Sequence, residues 1–316
     1  MHNSLAYYTQ LFLRLKRANG VAPHKPVLLL TILEAVQIGL INSPQIYISP
    51  DLIALFKTIW NKLVTTNHDP RFSYPFYYMK SEKFWQLVLK APYDNVALIE
   101  STVKSFNAFN NTIKYAVIDH ALFELIAVNS TNKLLSEIIL DKYFPETKYN
   151  YNILNPEDPV KDIENKILFE PAESYKKEMA KLIEAESEEE IFVRGAIFRR
   201  EVPKIYNYTC CISGMRISTG FNISMVDACH IVPFSQSYDD TIHNGLALCP
   251  NLHRAFDRGI LAINENYEVV ISKDFREEDS PYSIVQFEGK RIILPQNQDF
   301  WPLQTNLKKH RETFNL

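Results

Sequence analysis

The part of this 316-residue chain that most restricts its fold lies between Val226 and Asp257. It opens on Val226-Asp227-Ala228-Cys229-His230-Ile231-Val232-Pro233, a β-like apolar run that carries a histidine at its end. It continues through Asp240-Thr241-Ile242-His243-Asn244-Gly245 to Leu248-Cys249-Pro250-Asn251-Leu252-His253-Arg254-Ala255-Phe256-Asp257. Imidazole titrates in the physiological range, so His230 suits the activation of a water. His253 falls on a short helical segment and suits the holding of a cation. Asp257 follows it by four positions, which on a helix puts both on one face, able to share an ion. Asn244 in the intervening loop is placed to hold, through its amide, the backbone that orients the His230 strand.

Hydrolysis of a phosphodiester asks for these parts together: a nucleophilic water, a cation on the scissile phosphate, and a scaffold presenting both on one side. On these residues the sequence resembles the HNH endonuclease family, in its restriction-enzyme branch with the pattern AHIVPF, NGLALCP, H and FDRG. The resemblance runs from about Tyr206 to Ser272 and takes in Cys210-Cys211-Ile212-Ser213-Gly214 upstream. It implies a ββα-metal fold, His230 as general base, Asn244 as the structural asparagine and His253 as metal ligand. The ion implied is divalent, Mg2+ or Mn2+ ahead of others. The position before the base carries an Asp or His ligand in other branches and is Cys229 here. Asp257 and Asp227 are then the carboxylates available as a second ligand.

A hydrophobic content of 46% over this length suffices for two domains, each with its own core. No window of about 18 uninterrupted apolar residues exists, and Met1-His2-Asn3-Ser4 lacks the basic-then-apolar order of a secretory signal. The expectation is a cytoplasmic protein with no membrane partner. All four cysteines, Cys210, Cys211, Cys229 and Cys249, fall in the C-terminal half without a CxxC pair. A structural zinc knuckle therefore has no ligand set, and Cys210 and Cys249 read as buried thiols. The net charge of -3 is unevenly spread. Residues 1–90 hold ten Lys/Arg against four Asp/Glu, and residues 151–192 five against twelve. The N-terminal part is the one whose charge suits a polyanion.

In that part, residues 4–18 read as a first helix with Leu5, Tyr8, Leu11, Phe12 and Leu15 at helical spacing. After Asn19-Gly20, Pro26 falls in the first turn of a second, apolar helix. His24 and Lys25 then lie beside a helix N-terminus, either as a phosphate site or as an ordinary helix start with a solvated lysine. Asp69-Pro70-Arg71-Phe72-Ser73-Tyr74-Pro75-Phe76-Tyr77-Tyr78 joins aromatics to Arg71 and two prolines, as a wall for a base or backbone group or as a core turn. Arg17, the His24-Lys25-Pro26-Val27-Leu28-Leu29-Leu30 run and Tyr74-Pro75-Phe76 with Trp85 are similar to the sulfur-binding domain of phosphorothioate-DNA-dependent restriction endonucleases. That resemblance covers about residues 5–150. It implies a sulfur pocket lined by Tyr74 and Pro75, with Arg17, His24 and Lys25 gripping DNA and Arg71 beside them. Sulfur is larger and more weakly hydrated than oxygen, and so gains from apolar contact that a phosphate oxygen resists.

Asn132 to Tyr143 reads as a helix that Pro145 stops. Asn155-Pro156-Glu157-Asp158-Pro159 is a turn-rich break. Tyr175 to Ile191 reads as one charged helix whose Glu186-Ser187-Glu188-Glu189-Glu190 run is a solvated face. Arg194, Arg199, Arg200 and Lys204 precede the nuclease core as candidate phosphate contacts. Leu261 to Ile271 reads as a hairpin, Gly289 to Pro295 as a further strand and Leu303 to Phe314 as a closing helix. His243 and His310 read as surface or packing residues.

The expected class is α+β. A mainly helical DNA-reading domain (1–150) leads through an acidic linker (151–194) to a ββα-metal nuclease (195–316). The expected function is a type IV-like, modification-dependent restriction endonuclease acting on double-stranded, phosphorothioate-modified DNA. One active centre cuts one strand, so a homodimer or two sequential nicks are the routes to a double-strand break. The alternatives are an HNH enzyme that reads modified bases and a DNA-binding protein with an inactive HNH remnant.

Overall fold

The computed structural model describes residues 4–93, 105–153, 158–217 and 224–316. Met1-His2-Asn3 and the Asn155-Pro156-Glu157 part of the expected break lie outside them. The chain divides into two compact units, Met1–Lys161 with Ser187–Val193, and Asp162–Glu186 with Arg194–Leu316. Among the described residues no helix is long and apolar enough to cross a membrane.

The first unit is built around α2 (His24–Gln37), which is apolar nearly all round and therefore central rather than peripheral. Around it are α1 (Leu5–Leu13), α3 (Pro50–Leu63), α4 (Ser73–Tyr78), α5 (Phe106–Thr112), α6 (His120–Ala127) and α7 (Asn129–Tyr143). A three-stranded antiparallel sheet in the order β1-β3-β2 comprises β1 (Gln45–Ile46), β2 (Trp85–Leu89) and β3 (Ile113–Ile118). Ser49 caps α3 by accepting from the Leu52 amide at 3.2 Å, with Pro50 and Asp51 in the first turn as capping rules favour. Edge-to-face contacts Phe12–Phe84, Phe56–Phe72 and Phe76–Phe109 fill the core.

The first helix is shorter than its periodicity predicts, ending at Leu13 instead of near residue 18. The Lys16 amide donates to the Glu82 carboxylate at 3.0 Å, not to a helical carbonyl, and Arg17 is extended. The chain so redirected puts Lys16 and Arg17 beside the start of α2.

The expected charged helix from Tyr175 to Ile191 is two helices. The second unit holds most of α8 (Asp158–Phe169), α9 (Ala172–Glu184) and, from Arg194 on, α10 (Glu188–Ile205). Glu186 at φ +51° separates α9 from α10. The acidic run is not a solvated face: Glu189 is 6% exposed, and Glu188, Glu189 and Glu190 each bind groups of the first unit. Charge counting misses this because capping and ion pairing are set by long-range docking.

The rest of the second unit contains the hairpin β4 (Asp227–His230) and β5 (Gly245–Leu248), the short α11 (Phe234–Ser237), α12 (Pro250–Asp257), the hairpin β6 (Leu261–Ile263) and β7 (Val269–Ile271), and α13 (Gln304–Phe314). His230 pairs with Gly245 across the first hairpin. A Cβ at Gly245 would come within 2.6 Å of Val202 Cγ2 and 3.1 Å of Phe198, so glycine lets α10 lie against the strand. Gly259 (φ +64°) likewise leaves the space that Phe314 of α13 fills. The strand expected over Gly289 to Pro295 is reduced to one bridge, Arg291 with Glu268. The Ile292 amide donates to Tyr267 and the Ile293 amide to Cys211, so the segment divides its hydrogen bonds between two partners and forms no ladder.

Candidate functional site

The antiparallel register of β4 and β5 and the short helix after them bring the nominated C-terminal residues together. Asn244 is fully buried. Its Nδ2 donates to the carbonyls of Val232 (2.9 Å) and Asp239 (3.0 Å), and its Oδ1 accepts from the Val232 amide at 2.9 Å. One side chain thus ties the residues just after His230 to the loop that returns toward β5. The His230 ring stacks on Phe198 at 4.0 Å and 10°. Its Nε2 lies 2.9 Å from Oδ1 of Asp240, which is 1% exposed. A carboxylate only accepts, so Nε2 carries the proton and Nδ1 is left with the free lone pair.

His253 on α12 stands between two carboxylates, with Nδ1 3.5 Å from Asp227 and Nε2 3.5 Å from Asp257. Cys229 Sγ is 3.8 Å from Asp257 Oδ1. One ligand atom each from Cys229, His253 and Asp257 falls within a 4.8 Å spread. Imidazole, carboxylate and thiolate are all donors to divalent ions, so the residues fit such an ion once Cys229 is deprotonated. Asp227 meets the other ring nitrogen. Nominated as a ligand, Asp227 lies outside the group of three, and from that side it would orient the ring were an ion held by the others. Cys229 is fully buried, and burial together with the Asp257 charge raises its thiol pKa well above the usual value, so an ion would have to displace the proton.

A cavity of about 400 Å3 opens onto this corner, lined in part by His230, His253, Asp257, Phe234, His310 and Phe314. His310 on α13 is a packing residue here. Its ring stacks on Phe256 at 3.7 Å and its Nε2 donates to the Phe256 carbonyl at 3.0 Å. Burial pulls its pKa down to about 4. His243 likewise faces backbone, with Nδ1 3.2 Å from the Trp301 carbonyl.

Residues 210–264 match the protein family described as HNH endonuclease. The C-terminal unit carries an HNH endonuclease domain. HNH nucleases act on DNA and typically use a divalent metal, and Cys229, His253 and Asp257 lie within the matched segment. A solved structure entitled "Modification dependent TagI restriction endonuclease" is similar at 21% identity over 38% of this chain and 38% of that chain, with a TM-score of 0.28. The chain thus spans well under half of that relative's length. No curated protein matches the chain.

Two residues that support the HNH histidine escaped the sequence reading. Asp240 comes ten residues after His230 in a loop, where no periodicity links them, and its only signal is the acidic doublet Asp239-Asp240 shortly before the asparagine. Phe198 lies upstream of the family match, in what reads as a charged approach to it. Three of the four cations in that approach are engaged within the second unit. Arg194 is buried against Glu178 and the Tyr175 ring, and Arg200 and Lys204 pair with Glu164 and Glu201. Arg199 remains exposed. Of the thiols expected to be buried, Cys210 is and Cys249 is partly exposed.

The first unit has a separate cavity of about 480 Å3. It gathers Arg17, His24, Lys25, Tyr74 and Pro75, and adds Lys16, His68, Tyr78 and Lys80. Lys25 is not solvated: it is 7% exposed, with Nζ 2.5 Å from Glu82 and 2.7 Å from Ser81. Arg17 donates to the Val21 carbonyl and lies over the Tyr143 ring. His24 packs on Trp60 and donates to the Asp69 carbonyl. Arg71 is not among the lining residues. It braces Tyr74 through a 3.1 Å bond to the hydroxyl while held by Asp69. Lys16 is exposed at this cavity with no ammonium partner among the described residues.

Proposed function

We propose that the protein is a modification-dependent restriction endonuclease, in which the first unit reads phosphorothioate DNA and the HNH domain cuts it. The observation that carries the reading is the first unit's cavity. Five of the six side chains nominated as the sulfur and DNA site, from two separate stretches of sequence, line one hollow with an apolar wall and cations around it. Tyr74, Pro75 and Tyr78 offer carbon surface to a sulfur that gives up little hydration to reach it. Lys16 and Arg17 supply positive charge for the flanking phosphates.

In the HNH domain, His230 Nδ1 takes the proton of the attacking water while Asp240 holds the ring and steadies its charge. Asn244 keeps the strand in register, and Phe198 excludes water from one face of the imidazole. A divalent ion held by His253 and Asp257, with Cys229 beside them, would neutralise charge on the phosphate. Mg2+ and Mn2+ are the first ions to try.

Cleavage of phosphorothioated and plain plasmid in Mg2+ or Mn2+ tests the reading, the expected result being that only modified DNA is cut. Cutting of base-modified DNA instead would favour the other reader class. Tyr74→Ala is expected to weaken binding to modified duplex by roughly tenfold, the scale of one lost aromatic contact, and to leave plain duplex unaffected. Equal losses on both would mark Tyr74 as a general backbone contact.

A further inference from the structure

We infer that Glu189, within the acidic run at residues 188–190, is a positioning residue for the first unit's cavity. The inference rests on the proposed ligand only for its binding readout. The helix that brings Tyr74 and Pro75 to the cavity, α4, is six residues long. A helix of that length does not hold itself together. Its N-cap, Phe72, provides no side-chain hydrogen bond, and Pro75 has no amide to give.

Glu189, 117 residues later in the chain, supplies what is missing. Its Oε2 accepts from the Phe72 amide at 3.0 Å and its Oε1 from the Ser73 amide at 3.1 Å. The carboxylate is buried, with Lys57 Nζ at 3.5 Å as its counter-charge. A two-oxygen grip on two consecutive amides fixes the direction in which the helix starts, and hence where Tyr74 and Pro75, one and two residues further on, meet the cavity. The rest of the anchoring comes from Phe72 and Phe76, packed in the core.

The two flanking glutamates do parallel work on other elements of the same unit. Glu188 accepts from Ser105 Oγ at 2.9 Å and from the Asn107 amide at 3.0 Å, at the start of α5. Glu190 pairs with Lys57 on α3. Three consecutive carboxylates therefore serve three different helices. A solvated spacer would need none of these bonds, and a purely cohesive patch would not select the two amides that launch the cavity wall.

The test uses the full-length protein and its Glu189→Ala, Glu189→Gln and Glu190→Ala variants. Amide exchange is followed at Phe72 and Ser73, with binding to phosphorothioate and plain duplexes in parallel. Glu189→Ala is expected to speed exchange at both amides and to lower the modified-to-plain affinity ratio by about tenfold, the scale of lost charge-assisted bonds. Glu189→Gln, whose amide oxygen still accepts, should fall between it and wild type, and Glu190→Ala should keep the wild-type ratio. Equal weakening on both duplexes, or an unchanged ratio despite faster exchange, would overturn the inference. If Glu189→Ala does not fold, Glu189→Gln decides: a reduced ratio with faster exchange supports the role, and wild-type values for both remove it. If the wild-type protein binds both duplexes alike, the ligand assignment is what fails, and positioning is then judged by exchange alone.

Discussion

His230→Ala is expected to cut modified DNA about a thousandfold more slowly than wild type, within the usual range for a lost general base, while binding it with unchanged affinity. The ring has a single working orientation, set by the Phe198 stack and the bond from Nε2 to Asp240, and no other described imidazole shares that geometry. The loss should therefore appear in kcat and not in KM. Asp240→Asn keeps an acceptor for Nε2 but removes the charge that steadies the protonated ring, so a smaller loss, about ten- to a hundredfold, is expected. Chelation of divalent ions should stop cleavage by every variant and leave duplex binding in place. Single-turnover cleavage beside equilibrium binding separates these effects, and wild-type cutting by His230→Ala would remove the imidazole from the chemistry.

The second large effect is on stability in acid. His310 is buried between Phe256 and Phe314, and its pKa falls from the ordinary 6.5 to about 4. Between those values the unfolded chain binds a proton at this position that the folded chain excludes. The stabilisation is therefore complete above pH 6.5 and is lost as pH falls through that window toward 4. The shift corresponds to about 3 kcal/mol. His310→Gln should remove this component, so that the difference in unfolding free energy between the two proteins shrinks by most of that amount from pH 7.5 to pH 4.5. Denaturant unfolding at the two pH values measures it, and parallel pH profiles for both proteins would show that His310 is not the group responsible. Because Phe256 and His253 share α12, acid loosening at this point reaches the helix that carries the nominated metal ligand.

Much of the HNH corner was legible because its signals are local. A histidine closing an apolar run, an asparagine in the next loop and a histidine four positions before an aspartate all lie within thirty-odd residues, where spacing alone constrains geometry. The hairpin of β6 and β7 and the closing helix α13 were readable for the same reason. What spacing could not reach were partners chosen by the path of the chain. Asp240 finds His230 through a loop, and Glu189 finds Phe72 and Ser73 across 117 positions. The break at Glu186 was hidden because the charge pattern runs on through it, and Lys25 read as a phosphate contact or a solvated helix start because Glu82, its partner, is remote in sequence. Residue type announces the chemistry of a site, whereas the acids that orient it are interchangeable in sequence with those that only keep a surface wet.

The platform under the His230 imidazole has a bearing on how much chain an HNH centre requires. Phe198 belongs to α10, and Gly245 is bare so that this helix can lie close, yet α10 ends before the segment that matches the family begins. Grafting residues 210–264 alone onto another scaffold would transfer the histidines and leave behind the aromatic floor on which one of them rests. The smallest portable cutting module of this protein must begin upstream of its recognisable motif.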